Sequence, residues 1–463
     1  MKPISSALAA CLFAGIISGT GAAQQPSMVD PRASSTEVAS RASTATVSAT
    51  VARFYDPQTG ASSTDIVRRA LASNGDLLAA RLDIGRARAR LRQAALRPNP
   101  TLDVEQSTGR LVGSPGESET SVGVSLPLEL GGKRGRRIDL ARAELEATET
   151  EVADRERRLA GEVLALYAEA LTALRELQIT EGLSDIDLQT ARYVQARVNE
   201  GEAAPLELSL LQVEVDRMRS RRALVEGRLE AALLRLKGLA SIPANEPLRL
   251  REQITAPLLR EPPGSVESAV EIALRTRPDI RLARLTEEVA QAGLRLANAQ
   301  GAPEVSAVTR FSVNQSSFDN TPVGPLRDRD RTLTFGVSVG IPVFNKNQGG
   351  REEAAIAITQ ARTRRAFLEQ TVRAEVMSAY ARYESTRKAL ATFEQGVIER
   401  SDANIRSIRA AYQLGEFRIT DLLAEQRRLL DAQREFSDTL AERYRALADL
   451  QQAIGAPINS QER

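Results

Sequence analysis

The chain has 463 residues, of which 26% are charged and only 4% aromatic, with no Trp, so thin packing between helices is expected rather than a thick aromatic core. Lys and Arg number 62 against 60 Asp and Glu, and a net charge of +2 gives no electrostatic basis for binding nucleic acid. There is no His and the single Cys is Cys11, which removes the commonest general base and any soft metal site; no cofactor, resident metal or catalytic constellation is expected, and the chain does not read as an enzyme.

The first residues, "MKPISSALAACLFAGIISGTGAAQQ", have Lys2, an apolar run from Ile4 to Ile17 and small residues ending Gly21-Ala22-Ala23. This is a secretory signal pattern over residues 1–23, with cleavage expected after Ala23. "LAAC", Leu8 to Cys11, has the form of a lipoprotein box but begins too early to follow an apolar region, so Cys11 is read as part of that region. Residues 24–63 are rich in Ser, Thr and Ala without apolar periodicity and read as a flexible or extended arm. No later run approaches the roughly 20 apolar residues of a membrane-spanning helix.

From Thr64 the chain states one pattern twice. A helix (Thr64 to Leu96) leads into a strand hairpin (Thr101 to Arg110, Glu119 to Leu128), a very long helix (Arg136 to Val198) and a closing helix (Pro205 to Leu239). A linker from Ala240 to Ser265 holds five Pro, which excludes continuous helix. The second unit, residues 266–457, repeats the order: helix Val266 to Ala299, strands Glu304 to Val313 and Thr332 to Phe344, long helix Gly350 to Tyr412, closing helix Ile419 to Ile454. A short tail, 458–463, follows. "ALASNGDL" at Ala70 matches "ALRTRPDI" at Ala273, and "GEAAPLEL" at Gly201 matches "GEFRITDL" at Gly415. The offset grows from 203 to about 215 residues across the hairpins, which predicts a longer loop near Asn314 to Arg331 in the second one. Each long helix spans roughly 95 Å at 1.5 Å per residue. Apolar residues such as Leu159, Val163, Leu166, Ala170, Leu174 and Leu177 recur at steps of three and four, as in packed antiparallel coiled coils.

The strands alternate strictly. In "TLTFGVSVGIPVF", Leu333, Phe335, Val337, Val339 and Ile341 face one way and Thr334, Gly336, Ser338 and Gly340 the other. About ten residues is the length a tilted strand needs to cross a bilayer. Four strands cannot close a barrel, and an open sheet edge in lipid is prohibitive, so the strands must close with those of other chains. Three chains would supply twelve strands. A small soluble sheet capping the helices is the alternative.

"RPNPTL", "LPLELGGKRGRRI", "ALRTRPDIRLA" and "YQLGEFRITDLLAEQRRLLDAQ", with the duplicated architecture, resemble the TolC-like outer-membrane efflux factors, and within them the heavy-metal (CzcC-like) branch. The resemblance covers Thr64 to Pro457. It implies a homotrimer, mainly α, with a twelve-stranded barrel in the outer-membrane lipid of a Gram-negative bacterium and a helical tunnel in the periplasm. A periplasmic adaptor and an inner-membrane resistance-nodulation-division pump would complete a tripartite system that exports metal cations. Export of drugs or other small organic molecules is the alternative substrate reading, and a soluble periplasmic coiled-coil adaptor the alternative of another class. The resemblance also marks residues. The hairpin tips Glu200, Gly201, Glu202, Ala203 and Leu414, Gly415, Glu416, Phe417 would dock the adaptor. Asp421 would narrow the periplasmic entrance, as one ring of carboxylates in the trimer, with its repeat partner Glu207 facing the pore or solvent. Phe417 stands where the family pattern has a basic residue and Ala424 where it has a second Asp, which leaves a second acidic ring open. The basic cluster Lys133, Arg134, Arg136 and Arg137 is read as touching lipid headgroups or as solvated charge at a helix start.

Overall fold

The computed structural model describes residues 49–111, 117–256, 259, 261–318, 324, 326–394 and 396–455. The signal segment with Cys11, the arm as far as Ser48 and the tail 458–463 lie outside the described residues.

Ten α-helices, one short 3-10 helix and four strands appear among them, in the expected order of two repeats. The first comprises α2 (Ser63–Ser73), α3 (Gly75–Ala95), β1 (Thr101–Thr108), β2 (Ser118–Leu128), α4 (Lys133–Asn199) and α5 (Pro205–Leu239). The second comprises α6 (Val266–Thr276), α7 (Pro278–Gln300), β3 (Glu304–Phe318), β4 (Leu326–Gly340), α8 (Gln348–Glu394), α9 (Val397–Gln413) and α10 (Ile419–Ile454). The 67 residues of α4 run unbroken for about 100 Å.

Each leading helix, expected to be continuous, breaks at one residue. Asn74 ends α2 and caps α3: its Oδ1 accepts from the Leu77 amide at 3.0 Å while its Nδ2 donates to the Leu239 carbonyl at 3.0 Å. Arg277 occupies the same place in the second repeat, held in extended conformation by the following Pro278. Its guanidinium donates to the Ala453 carbonyl at 2.9 Å and pairs with Asp279 at 2.6 Å and Glu375 at 2.9 Å. Both breaks therefore tie a leading helix to the last turn of its closing helix, where carbonyls lack partners within the helix. The second long helix also divides, at Gly396, whose φ of 112° is open to glycine.

The arm ends sooner than expected. A short helix, α1 (Val51–Phe54), buries Val51 and Phe54, and Tyr55 and Ala61 each bridge to Leu250 of the linker. These residues join the main core, where Ile66 and Val67 of α2 pack with Val163, Leu164 and Tyr167 of α4 and Leu229 and Leu236 of α5. Composition concealed this because two large apolar residues stand among many small ones.

The sheet has the order β1-β2-β3-β4, antiparallel throughout, so β2 and β3 join the two hairpins and β1 and β4 are its edges. β3 and β4 have 15 residues each, so the expected loop at Asn314 to Arg331 is largely strand: Asn314 pairs with Asp330 and Gln315 with Arg329. The flanking helices α3, α4, α7 and α8 all meet the sheet at one end, through Thr101, Leu128, Glu304 and Gly340.

The cluster at the start of α4 caps a neighbouring helix. Arg134 Nε donates to the Ala95 carbonyl at 2.8 Å, and Arg137 donates to the carbonyls of Ala94 and Leu96, both at 3.0 Å, while pairing with Glu129. Arg134 and Arg137 thus serve the C-terminus of α3, where positive charge is favourable, rather than headgroups.

Candidate functional site at the helix-hairpin tips

The two long helices end in the same turn. At the end of α4 the Glu202 amide donates to the Arg197 carbonyl at 2.8 Å and the Gly201 amide to Val198 at 3.1 Å. At the end of α9 the Glu416 amide donates to Ala411 at 2.9 Å and the Gly415 amide to Tyr412 at 3.0 Å. These are Schellman turns, and their left-handed residues are Gly201 (φ 80°) and Gly415 (φ 79°). The two hairpins pack through Val194 of α4, Leu211 of α5, Tyr412 of α9 and Ile419, Leu422 and Leu423 of α10. Glu200, Gly201 and Glu202 are exposed at one tip and Ala203 is half-buried. Leu414 to Phe417 are exposed at the other, with Leu414 at 77% and Phe417 at 45%, unusually bare for large apolar residues at the end of a packed structure.

Glu207 and Asp421 both occupy the third position of their helices, yet they do different things. Glu207 is half-buried and accepts from Tyr412 Oη at 2.9 Å, a bond between the two hairpins. Burial, then this carboxylate, push the Tyr412 phenol up to about 12, so it remains a donor. Asp421 is exposed and accepts from the amide of Arg418 at 3.1 Å, the reach-back of a capping box. The repeat offset explains the difference, because the residue corresponding to Tyr412 in the first unit is Val198, which has no hydroxyl to offer Asp421.

About three turns from the tips lies a polar group the sequence did not single out. Asp187 of α4, Glu214 of α5 and Gln426 of α10 are all buried, and Arg427 pairs with Glu214 at 3.2 Å. Desolvation, followed by the charge of Glu214, raises Asp187 to about 6, with Gln426 and Arg409 acting in the opposite sense. Its only sequence signal was an acid on an otherwise apolar stripe of α4.

At the other end of the molecule the sheet sorts its side chains by face. Leu102, Val104, Val122, Val124, Leu126, Phe311, Leu333, Phe335, Val337 and Val339 are exposed on one side. The register places Asp103, Glu105, Glu119, Asp328 and Asp330 on the other with Arg310, which pairs with Glu105 at 2.6 Å. Among the described residues no helix is long and apolar enough to cross a membrane.

The family model described as outer membrane efflux protein matches residues 66–240 and 269–456, one stretch for each repeat. The chain belongs to the outer membrane efflux protein family. This efflux protein is 23% identical over 395 residues to the cobalt-zinc-cadmium resistance protein CzcC of Cupriavidus metallidurans, covering 83% of this chain and 88% of that one. It is 26% identical over 399 residues to the nickel-cobalt-cadmium resistance protein NccC of Alcaligenes xylosoxydans, covering 84% and 85%. A crystal structure of CusC shares its fold with a TM-score of 0.68 at 23% identity, covering 85% of this chain and 92% of that one. The efflux protein is thus a channel of the Gram-negative outer membrane with most of its chain in the periplasm, and the soluble-adaptor alternative is set aside. The helices, which make up most of the chain and meet the sheet at one end, mark its periplasmic end.

Proposed function

We propose that this efflux protein is a homotrimer with one twelve-stranded barrel, and that with a periplasmic adaptor and an inner-membrane resistance-nodulation-division pump it passes heavy-metal cations outward. The observation that carries the substrate class is the charge on the inward face of the sheet, where Glu304 at the start of β3 joins the five carboxylates named above, six in all against one arginine in each chain. Such a lining concentrates cations and repels anions. The names of the metal-resistance relatives agree with this reading.

The open edges β1 and β4 support closure by further copies, since an unpaired edge in hydrocarbon costs several kcal/mol per group. Docking of the adaptor falls to the two exposed tips, with Leu414 and Phe417 as apolar anchors. The gate consists of the Glu207–Tyr412 tie and the ring of Asp421. Selection among metals resides in the pump and adaptor, because the chain has no His and, among the described residues, no group of three or more metal-binding side chains.

Deletion of the gene in its host, followed by growth on zinc, cobalt, cadmium, nickel and a panel of drugs, tests the substrate class. Metal sensitivity with unchanged drug tolerance is expected; drug sensitivity with unchanged metal tolerance overturns the cation reading and leaves the channel intact.

A further inference from the structure

The outer end of β4 reads "RDRDR", Arg327 to Arg331, and strand geometry separates its charges. Asp328 and Asp330 fall on the inward face with Thr332 and Thr334. Arg327, Arg329 and Arg331 fall on the face of Leu333, Phe335, Val337 and Val339, which meets lipid. Because neighbours in the strand point oppositely, these arginines do not pair with the adjacent aspartates.

The register shows where the arginines lie relative to the apolar band. Val104, Val122, Phe311 and Leu333 form one row across the four strands. Two further rows toward the periplasm are also largely apolar: Leu102, Val124, Thr309 and Phe335, then Leu126, Ala307 and Val337. The next row outward from Val104 is Gln106, Thr120, Val313 and Arg331, and the one beyond it Thr108, Ser118, Gln315 and Arg329. The outward face turns from apolar to basic in a single step, and neither row contains an acid. Among the described residues Arg327, Arg329 and Arg331 are exposed and form no ion pair. A run of unpaired guanidinium groups continuous with the lipid-facing band, on the outer side of the membrane, sits at the depth of the headgroups.

We infer that Arg327, Arg329 and Arg331 form a docking surface for phosphorylated lipid headgroups of the outer leaflet. The inference rests on the membrane-barrel assignment and not on the substrate class. Guanidinium groups match phosphate oxygens in a two-pronged geometry that ammonium groups do not reproduce. The side chains of Gln106, Thr108, Ser118, Thr120 and Gln315 in the same rows are neutral and bring no competing charge.

The test uses the mature full-length protein in detergent, incubated with lipopolysaccharide or its enzymatically dephosphorylated form, with retained lipid measured by native mass spectrometry. Wild type is expected to retain the phosphorylated form on the order of tenfold or more over the dephosphorylated one, with retention falling as salt rises. The R327Q/R329Q/R331Q variant is expected to lose that preference, and the corresponding triple Lys variant to recover only part of it. Equal retention of both lipids by wild type overturns the inference, and needs no variant to fold. Unchanged preference in a Gln variant with normal channel conductance overturns it as well.

Discussion

Tyr412 Oη stands 2.9 Å from Glu207 Oε2, joining the last turn of one long helix to the first turn of the other hairpin's closing helix. A hydrogen bond to a charged acceptor contributes about 1.5–3 kcal/mol. In Tyr412→Phe the ring still packs with Leu422 and Ile419, and only the tie is lost. The expected outcome is a roughly tenfold or greater rise in the open population, read as higher conductance in planar bilayers. Unchanged conductance would show that the bond merely orders the tip.

Asp421 calls for a substitution that separates charge from capping. Asp421→Ala removes both the charge and the reach-back bond to the Arg418 amide. Asp421→Asn keeps an oxygen for the Arg418 amide while removing the negative charge. If a carboxylate ring lines the entrance, the Asn variant shows weaker block by trivalent cations with α10 intact. Equal block in wild type and variant would leave Asp421 a helix cap alone.

Asp187 makes the tip region sensitive to pH in a definite sense. Its value in the folded protein, about 6, lies above the 3.8 of an ordinary aspartate, so between these values the folded state holds more protons than the unfolded one. Its favourable contribution is complete below the ordinary value and fades as pH rises through about 6. Hydrogen-exchange protection near Leu183 and Leu430, taken relative to the intrinsic exchange rate at each pH, is therefore expected to rise between pH 7 and pH 5, and Asp187→Asn to flatten that dependence. The groups facing it, Glu214, Gln426 and Arg409, are left in place.

Arg277 tests the helix break. Arg277→Ala leaves Glu375 without this partner, Asp279 with only the more distant Arg157 at 3.9 Å, and the Ala453 carbonyl without its guanidinium donor. Removing one member of a largely buried ion pair costs about 3–5 kcal/mol. A marked fall in thermal stability is expected by circular dichroism, with Arg277→Lys restoring only part of it because an ammonium cannot span three acceptors in this planar arrangement.

Leu414 and Phe417 are bare at the tip, and their replacement by Ser exposes less apolar surface without touching the packed residues beneath. Crosslinking to the adaptor is expected to fall severalfold while the conductance of the isolated channel stays the same. A parallel loss of folded protein would show that these side chains support the tip itself.

The duplication, the long helices and the two-faced strands were legible because each is a periodic pattern, and periodicity survives without knowledge of contacts. The breaks at Asn74 and Arg277 were not, since apolar spacing continues through both. The signal at the second was Pro278, which disfavours helix at the preceding residue. The outer part of β4 reads as loop in the sequence because its alternation is of charge rather than hydropathy. At the tips, the turns followed from glycine, whereas the distinct fates of Glu207 and Asp421 depend on Tyr412 having no hydroxyl-bearing counterpart at Val198. That asymmetry becomes meaningful only when both hairpins are seen side by side.

Strand direction has a consequence for how copies can associate. β1 runs away from the helices and β4 runs back toward them. Antiparallel pairing of β1 with β4 of another copy keeps both helical bodies on one side of the bilayer. Pairing like with like, β1 to β1 or β4 to β4, would send one body to the wrong side if antiparallel, and if parallel would turn the apolar face of one copy to the polar side of the next. The contact is therefore heterologous, a head joined to a tail, and a twofold dimer across either edge is excluded. Such an interface terminates only when the sheet's curvature brings the last tail back to the first head, so the number of copies is a property of how sharply four strands bend.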